Sequence, residues 1–500
     1  MTTTKIPRRV LIIGADGLRP DLLDPTVMPT VAQLAAEGVR SWDHHAVYPT
    51  HTRVNISALA SGSTPGRHGI VANTMLAPNV TEDHIIDTSN YQHLQALEQA
   101  SGGHAVLVPT LGDLLAARGE RVAVAATSTP GASMLWTHRH LSRMVNTNSA
   151  FGLADLYDLR EKLGELPVQE HGPQIASQHY AAAAVTRLYL DDPQNRVIIF
   201  WMNEPDSSQH YFGLGAPEAV TALRTVDRCV AEVLTALAQR GLRDQFDIFF
   251  ISDHGHSTVK SHNTLREYLA QAFQEIGQPL PLATASDYIY TQPGARPPTR
   301  AQLAPLVEWL LAQPWTGVVL AGRTDLADLP GVIPLTQAWN QQSNERAPLL
   351  AISPRWRSAL NDFGVPGQVM ALTTQSALRS SHGSASPYDL HAVFIANGAT
   401  FQAGVNSQIP TGAIDLLPTV LHLLEIPAPT ALDGRVLWEI MRRPQGEPGA
   451  IRQVVIEPET PSRHAAIPAQ LALHQVGDTT YLHGALQPDA TFALPMPDDR

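Results

Sequence analysis

The sequence predicts an α/β protein: a mostly parallel central sheet with helices on both faces, carrying a small inserted α+β cap. Three observations lead there. Continuous apolar, β-branched runs recur (VLII at 10–13, VIIFW at 197–201, FDIFFI at 246–251), as in strands covered on both faces. Segments with helical periodicity alternate with these runs. An aspartate follows each run closely (Asp16, Asp206, Asp253), and in parallel sheets reactive groups gather beyond the carboxyl ends of the strands.

In chain order, residues 10–13 form the first strand and 30–37 the first helix. A helix at 111–118 precedes a strand at 121–125, and a helix at 181–189 precedes the strand at 197–201. A long amphipathic helix at 219–239 leads into the strand at 246–251, and a strand at 392–396 with a helix at 414–424 closes the pattern. Between residues 257 and 379 the character changes: proline clusters appear (QPLPL, PGARPPTR), and the helix at 300–312 and strand at 317–320 have no partner in the main alternation. The expected organisation is a discontinuous core, 1–257 and 380–500, interrupted by a cap at 258–379. The tail, rich in Pro, Gly and Asp, holds two possible strands at 454–457 and 479–483. There is no internal repeat and no low-complexity tract.

A hydrophobic content of 44% with 16% charged residues fits a globular protein. The formal net charge of −12 argues against nucleic acid as a partner. It leaves small anionic substrates open, because bound cations reverse the local sign. The single cysteine excludes an intrachain disulfide, and Cys229, within TVDRCVAEVLTAL, reads as a small buried hydrophobe. No run is long and apolar enough to span a bilayer, and the short apolar run before Gly14 reads as a strand and not a signal-peptide core. A cytoplasmic enzyme without a membrane partner is expected; oligomeric state is not encoded in any readable feature.

Five short motifs carry the chemistry. ADG at 15–17 puts Asp16 directly after a buried strand, an expensive place for a carboxylate unless a cation meets it; the plain alternative is a helix-capping aspartate. In YPTHTRVNISALASGSTPGRHGIVAN, 48–73, a helix is expected from Thr52 to about Ala60. A hydroxyl there sees the positive end of the helix dipole and free N–H groups, whereas the simpler reading makes Thr50 or Thr52 an N-cap. NEPDSSQH, 203–210, places Asp206 and His210 four apart on the loop after a strand, within reach of one cation. In ISDHGHS, 251–257, adjacent Asp253 and His254 are hard to explain by packing, Gly255 lets the backbone turn sharply, and His256 reads as a supporting or surface histidine. SSHGS, 380–384, supplies His382, the third imidazole of a set that would hold two divalent cations, zinc being the expected metal, around a threonine oxygen.

Taken in order, ADG, PTHT with the later IVAN, EPDSSQH, SDHG and SHG resemble the alkaline phosphatase superfamily, and within it the type I phosphodiesterase/nucleotide pyrophosphatase branch. The stretch AIDLLPTVLHLLEIPAPTALDGRVL is similar to the superfamily's closing helix and DGR turn. The resemblance covers residues 10–437 and is weakest in the cap. It implies an alkaline phosphatase-like core and a hydrolase acting on small phosphate esters. Thr52 would be the nucleophile; Asp16, Asp253 and His254, with Thr52, would form one metal site, and Asp206, His210 and His382 the other. Asn73 would donate its amide to a phosphate oxygen.

The chain departs from that pattern in two places. Nucleotide-cleaving relatives usually carry an aromatic residue after the nucleophile; here it is Arg53, a residue suited to gripping a phosphate or carboxylate. The Lys-x-Arg pair of the monoesterase branch is missing from AATSTPGASMLW, 125–136, which weakens the phosphomonoesterase and phosphonate hydrolase readings. A sulfatase is disfavoured, since Cys229 is not in a C/S-x-P-x-R motif. A non-catalytic metal-binding protein is the remaining alternative of another class.

Overall fold

A computed structural model describes residues 8–492 apart from 138, 141–142, 150–155, 169–171, 262, 371 and 373–376. Residues 1–7 of the expected core, and those few positions of the expected cap, lie outside the described residues.

The central sheet has eight strands: β1 (Arg9–Ala15), β2 (Val39–Ser41), β3 (Arg121–Ala126), β4 (Met144–Asn146), β5 (Asn195–Met202), β6 (Phe246–Ile251), β7 (Phe394–Asn397) and β8 (Val405–Ser407). Their order is β8-β2-β7-β6-β1-β5-β3-β4. All pairs are parallel except those of β7, which runs antiparallel to both β6 and β2. Strands β1, β5 and β6 are buried at every position, which is why their central residues read as apolar runs.

Side-chain alternation divides the core between the two faces. Val10, Ile12, Ile199, Trp201, Phe249 and Ile251 join one apolar cluster with α2 (Thr52–Ser61) and α6 (Leu416–Leu423). Leu11, Ile13, Ile198, Phe200, Ile248 and Phe250 join the other, with α1 (Pro29–Glu37), α3 (Ile175–Ala184) and α5 (Pro217–Gln239); Cys229 lies buried in this cluster. A short helix, α4 (Asp206–Phe212), precedes α5. The helix expected at 181–189 begins earlier, at Ile175, and its last part, Val185–Tyr189, is a π-type turn.

A second, five-stranded sheet is built from Leu282–Ala285, Tyr288–Thr291, Thr316–Ala321, Val332–Pro334 and Leu350–Pro354. With the helices Leu265–Ile276 and Arg300–Ala312 it encloses its own apolar cluster, so the partnerless helix and strand of the sequence pattern find their partners here. The strand Ser257–Val259 crosses the expected boundary at 257/258 and joins a four-stranded sheet with Trp356–Leu360, Pro366–Val369 and Ser380–Ser381. The C-terminal region forms a three-stranded antiparallel sheet, Ile451–Ile456, Leu471–Val476 and Thr479–Ala485.

Candidate active site

The parallel strands deliver their following residues to one edge of the sheet. Asp16 N donates to Met202 O at 3.0 Å, and Asp206 N donates to Asp16 O at 3.0 Å, so the ends of β1 and β5 are tied together just where their aspartates emerge. Trp201 Nε1 points at Asp16 Oδ2 from 3.4 Å. Gly17, in the left-handed region at φ 68°, turns its N–H onto Asp253 Oδ1 at 3.2 Å.

Thr52 is the first residue of α2, and the preceding residue, His51, makes no side-chain cap. The N-cap reading of the threonines does not hold: Thr50 Oγ1 instead donates to Ser384 O and accepts from Gly383 N. The first turn of α2 therefore keeps its positive end for the site. Asp206 and His210 lie on α4 and not on a loop; spacing of four residues puts both on one helix face, 3.4 Å apart. Glu204 holds the entry to α4 by accepting from Gln174 N and Ser208 N, each at 3.0 Å.

The seven side chains singled out in the sequence converge. His254 Nε2 lies 3.1 Å from Thr52 Oγ1, 3.4 Å from Asp16 Oδ1 and 3.3 Å from Asp253 Oδ2. Asp206 Oδ1 lies 3.4 Å from His210 Nε2 and 3.6 Å from His382 Nε2. The rings of His254 and His382 stack at 3.7 Å. Ligand atoms of Asp16, Asp206 and His254 fall within 4.8 Å of one another, as do those of Asp206, His210, His256 and His382, so Asp206 joins the two groups.

This donor set fits cations. Each of the three imidazoles has Nδ1 against a backbone carbonyl: His210 on Ser380 O at 2.8 Å, His254 on Gly255 O at 2.9 Å, His382 on Thr50 O at 2.6 Å. A carbonyl only accepts, so Nδ1 carries the proton and Nε2 presents a lone pair toward the carboxylates. Among the described residues, Asp16 Oδ1 and Asp253 Oδ2 are buried without a hydrogen-bond partner. Lone pairs facing orphaned carboxylate oxygens repel unless a cation lies between them.

Protonation follows burial. Burial, then the charges of Asp253 and Asp206, pushes the Asp16 carboxyl well up. Burial likewise raises Asp253. For Asp206, burial pushes up but is outweighed by His210 and by the hydrogen bond from His256, which hold its carboxyl well below the usual range. Burial lowers His254 and His382, keeping them neutral and able to donate lone pairs.

Thr52, Asp16, Asp206, His210 and His382 face a cavity of about 420 Å³, together with Arg53 and Asn73. Asn73 Oδ1 accepts from Arg53 N at 3.3 Å. Arg53 is half-buried, its Nε has no partner among the described residues, and Asp87 lines the same cavity.

Two residues gain weight from the structure. His256 is fully buried, with Nε2 2.8 Å from Asp206 Oδ1, which removes the surface reading and keeps the supporting one. Its place two residues after His254 was the available signal. His51 lines the cavity and accepts from Asn73 N on Nδ1 at 3.2 Å, a contact no local pattern announces. Gly255 is needed for space and not for a turn: its φ is not positive, but a Cβ there would sit 2.1 Å from Tyr388 O.

Similarity to known proteins agrees with this geometry. Over 272 residues the chain is 22% identical to venom phosphodiesterase 2 of Crotalus adamanteus, covering 53% of this chain and 29% of that protein. It is 24% identical over 266 residues to human ectonucleotide pyrophosphatase/phosphodiesterase family member 1, covering 52% and 25%. It is 24% identical over 255 residues to a bis(5′-adenosyl)-triphosphatase of Pongo abelii, covering 51% and 49%. The chain thus spans between a quarter and a half of the length of these curated relatives. The profile of one family matches residues 10–362, a range that holds every predicted site residue except His382, and the chain belongs to that family, the type I phosphodiesterase / nucleotide pyrophosphatase family.

Proposed function

We propose that this protein is a two-metal hydrolase, with zinc as the expected metal, that cleaves phosphodiester or pyrophosphate bonds through a phospho-Thr52 intermediate. The observation that carries the reading is the Thr52 hydroxyl at the uncapped start of α2, 3.1 Å from His254 Nε2 and among three aspartates and three imidazoles. Asp16, Asp253 and His254, with Thr52, would hold one cation; Asp206, His210 and His382 would hold the other. When bound, the pair lowers the pKa of the threonine hydroxyl and takes up charge on the leaving oxygen.

The remaining chemistry belongs to the chain. Thr52 Oγ1 forms a bond to phosphorus as the bond to the leaving oxygen breaks; water then cleaves the Thr52 O–P bond and restores the hydroxyl. The Asn73 amide and the Thr52 backbone N–H would hold a non-bridging oxygen, a geometry supported by Asn73 Oδ1 being occupied by Arg53 N, which leaves the Asn73 amide nitrogen as its donor. Residues 258–379 would act as a cap, since Ser286, Asp287, Leu372 and Leu378 line the cavity from that segment. The relatives' names, phosphodiesterase and nucleotide pyrophosphatase, point to the same bond type.

A second reading, a phosphomonoesterase or phosphonate hydrolase, is favoured by Arg53, whose cation faces the cavity where a dianionic substrate would need it. A zinc-reconstituted assay separates the two. Bis-p-nitrophenyl phosphate or a nucleotide 5′-p-nitrophenyl ester should turn over faster than p-nitrophenyl phosphate and phosphonoacetate. Preference for either of the last two selects the second reading, and no turnover of any of the four overturns both.

A further inference from the structure

A second buried cluster of metal-type side chains lies outside the site described above. Asp43, in the turn after β2, is surrounded by His45, His391, His474 and His483. His45 Nε2 is 3.1 Å from Asp43 Oδ1, His391 Nε2 is 3.2 Å and His483 Nδ1 is 3.6 Å from the same oxygen, and His45 Nε2 is 3.2 Å from His483 Nδ1. All four ligand atoms fall within 4.8 Å of one another. A tetrahedral ion with bonds of ~2.0–2.1 Å separates its ligand atoms by ~3.3 Å. The four distances bracket that value.

Proton accounting points the same way. His45 Nδ1 lies 2.9 Å from Thr411 O and His391 Nδ1 lies 2.8 Å from Pro387 O. Carbonyls only accept, so both rings carry a proton on Nδ1, and in its neutral form each turns an Nε2 lone pair toward Asp43 Oδ1. Two lone pairs on one carboxylate oxygen repel. Relief requires either two adjacent buried imidazolium ions or a cation among the ligands. The other oxygen, Asp43 Oδ2, is held by His474 Nδ1 at 2.7 Å, which orients the carboxylate so that Oδ1 alone faces the three rings. A backbone carbonyl behind His45 and His391 and a donor behind the carboxylate is the outer arrangement that metal ligands commonly have, and it resembles what His210, His254 and His382 show at the other site. A cavity of about 370 Å³ lined by Asp43, His474 and His483 adjoins the cluster, and the His483 side chain is 20% exposed, so an ion has an entry path.

We propose that Asp43, His45, His391 and His483 form a separate tetrahedral site for a divalent transition metal of the zinc type, with His474 as its positioning residue. The ligands come from distant parts of the chain: the segment after β2, the segment before β7, and the C-terminal strand Thr479–Ala485. Four ligands from protein leave no open position, so the ion is structural and clamps the C-terminal sheet to the core. The inference does not depend on the reading of the Thr52 site.

The test is anomalous diffraction at the zinc edge from crystals of the full chain, with metal per chain measured in parallel on wild type, His483→Ala and His474→Ala. An anomalous peak enclosed by the four ligand atoms is expected, with one metal equivalent per chain lost in His483→Ala. His474→Ala, which leaves all four ligands, should weaken zinc binding at this site by about 10–100-fold. It also keeps the proposal testable if His483→Ala does not fold. An Asp206→Asn variant should keep this peak whatever happens at the Thr52 site. No density among the four side chains in zinc-supplemented crystals, or unchanged metal content and affinity in both histidine variants, overturns the site and leaves a hydrogen-bonded Asp–His network.

Discussion

Replacing Thr52 separates chemistry from structure. Thr52 Oγ1 has one side-chain partner among the described residues, His254 Nε2 at 3.1 Å, and the residue is 5% exposed. Thr52→Ala gives up that hydrogen bond, about 0.5–1.5 kcal/mol, and one buried methyl-sized group, about 1 kcal/mol. Both are small against a total stability of about 5–15 kcal/mol, so the variant should fold. Loss of a nucleophile that forms the covalent intermediate should cost about 10³–10⁶ in kcat/KM, equivalent to about 4–8 kcal/mol of barrier. Thr52→Ser keeps the oxygen but loses the β-branch that restricts χ1. Freeing that rotor should cost about 0.5–1.5 kcal/mol, or roughly 2–12-fold. The assay is initial-rate kinetics on bis-p-nitrophenyl phosphate with bound metal measured on the same samples. A Thr52→Ala protein that retains both metals and hydrolyses the diester at the wild-type rate refutes the nucleophile assignment.

Three further outcomes are expected. Arg53→Ala should reduce kcat/KM for substrates with a charged group beside the scissile phosphate by about 10–150-fold, the worth of a charge-assisted hydrogen bond, and neutral-tailed diesters much less; equal loss on both shows that Arg53 does not touch substrate. Gly255→Ala would bring a Cβ to 2.1 Å from Tyr388 O and 2.8 Å from His391 O, both backbone atoms that cannot step aside. It should lose about 1–3 kcal/mol in urea unfolding, and an unchanged midpoint contradicts the close packing. Asp415 is raised to about 6 by burial, against the pull of Arg435, while Tyr481 Oη donates to its Oδ2 at 2.7 Å. A carboxyl raised in the fold binds its proton more tightly there than in the unfolded chain. Its contribution is therefore fully present below the ordinary carboxylate value and is lost as pH rises through about 6. The loss is of order 3 kcal/mol, read from denaturant midpoints between those two pH values; Asp415→Asn should flatten that slope, and an unflattened slope rules Asp415 out as its source.

The main elements were legible because their signals are local. A strand buried on both faces is mostly apolar, and FDIFFI matches β6 residue for residue, its one polar member, Asp247, being satisfied by Thr400. The site was legible because each motif sits within a few residues of a strand end or helix start. What misled was the local conformation of those motifs. The pattern after β5 reads as a loop for Asp206 and His210, yet Pro205 is the N-cap of a short helix that starts at Asp206 itself. Gly255 was given a turn, yet its reason is a carbonyl from residue 388, invisible from residue 255. The sequence does not separate a supporting from a surface role for His256, because burial depends on what the rest of the chain brings over it.

By itself, then, the order of residues determined the strand and helix pattern and the chemical kinds of side chain available at the sheet's edge, because propensity, periodicity and strand-end position act over short stretches. Only the tertiary structure decided which of those side chains meet. His391 and His474 reach Asp43 across 348 and 431 residues of chain. No short-range rule carries information over such separations; the topology of the sheet and the packing of the C-terminal strands do.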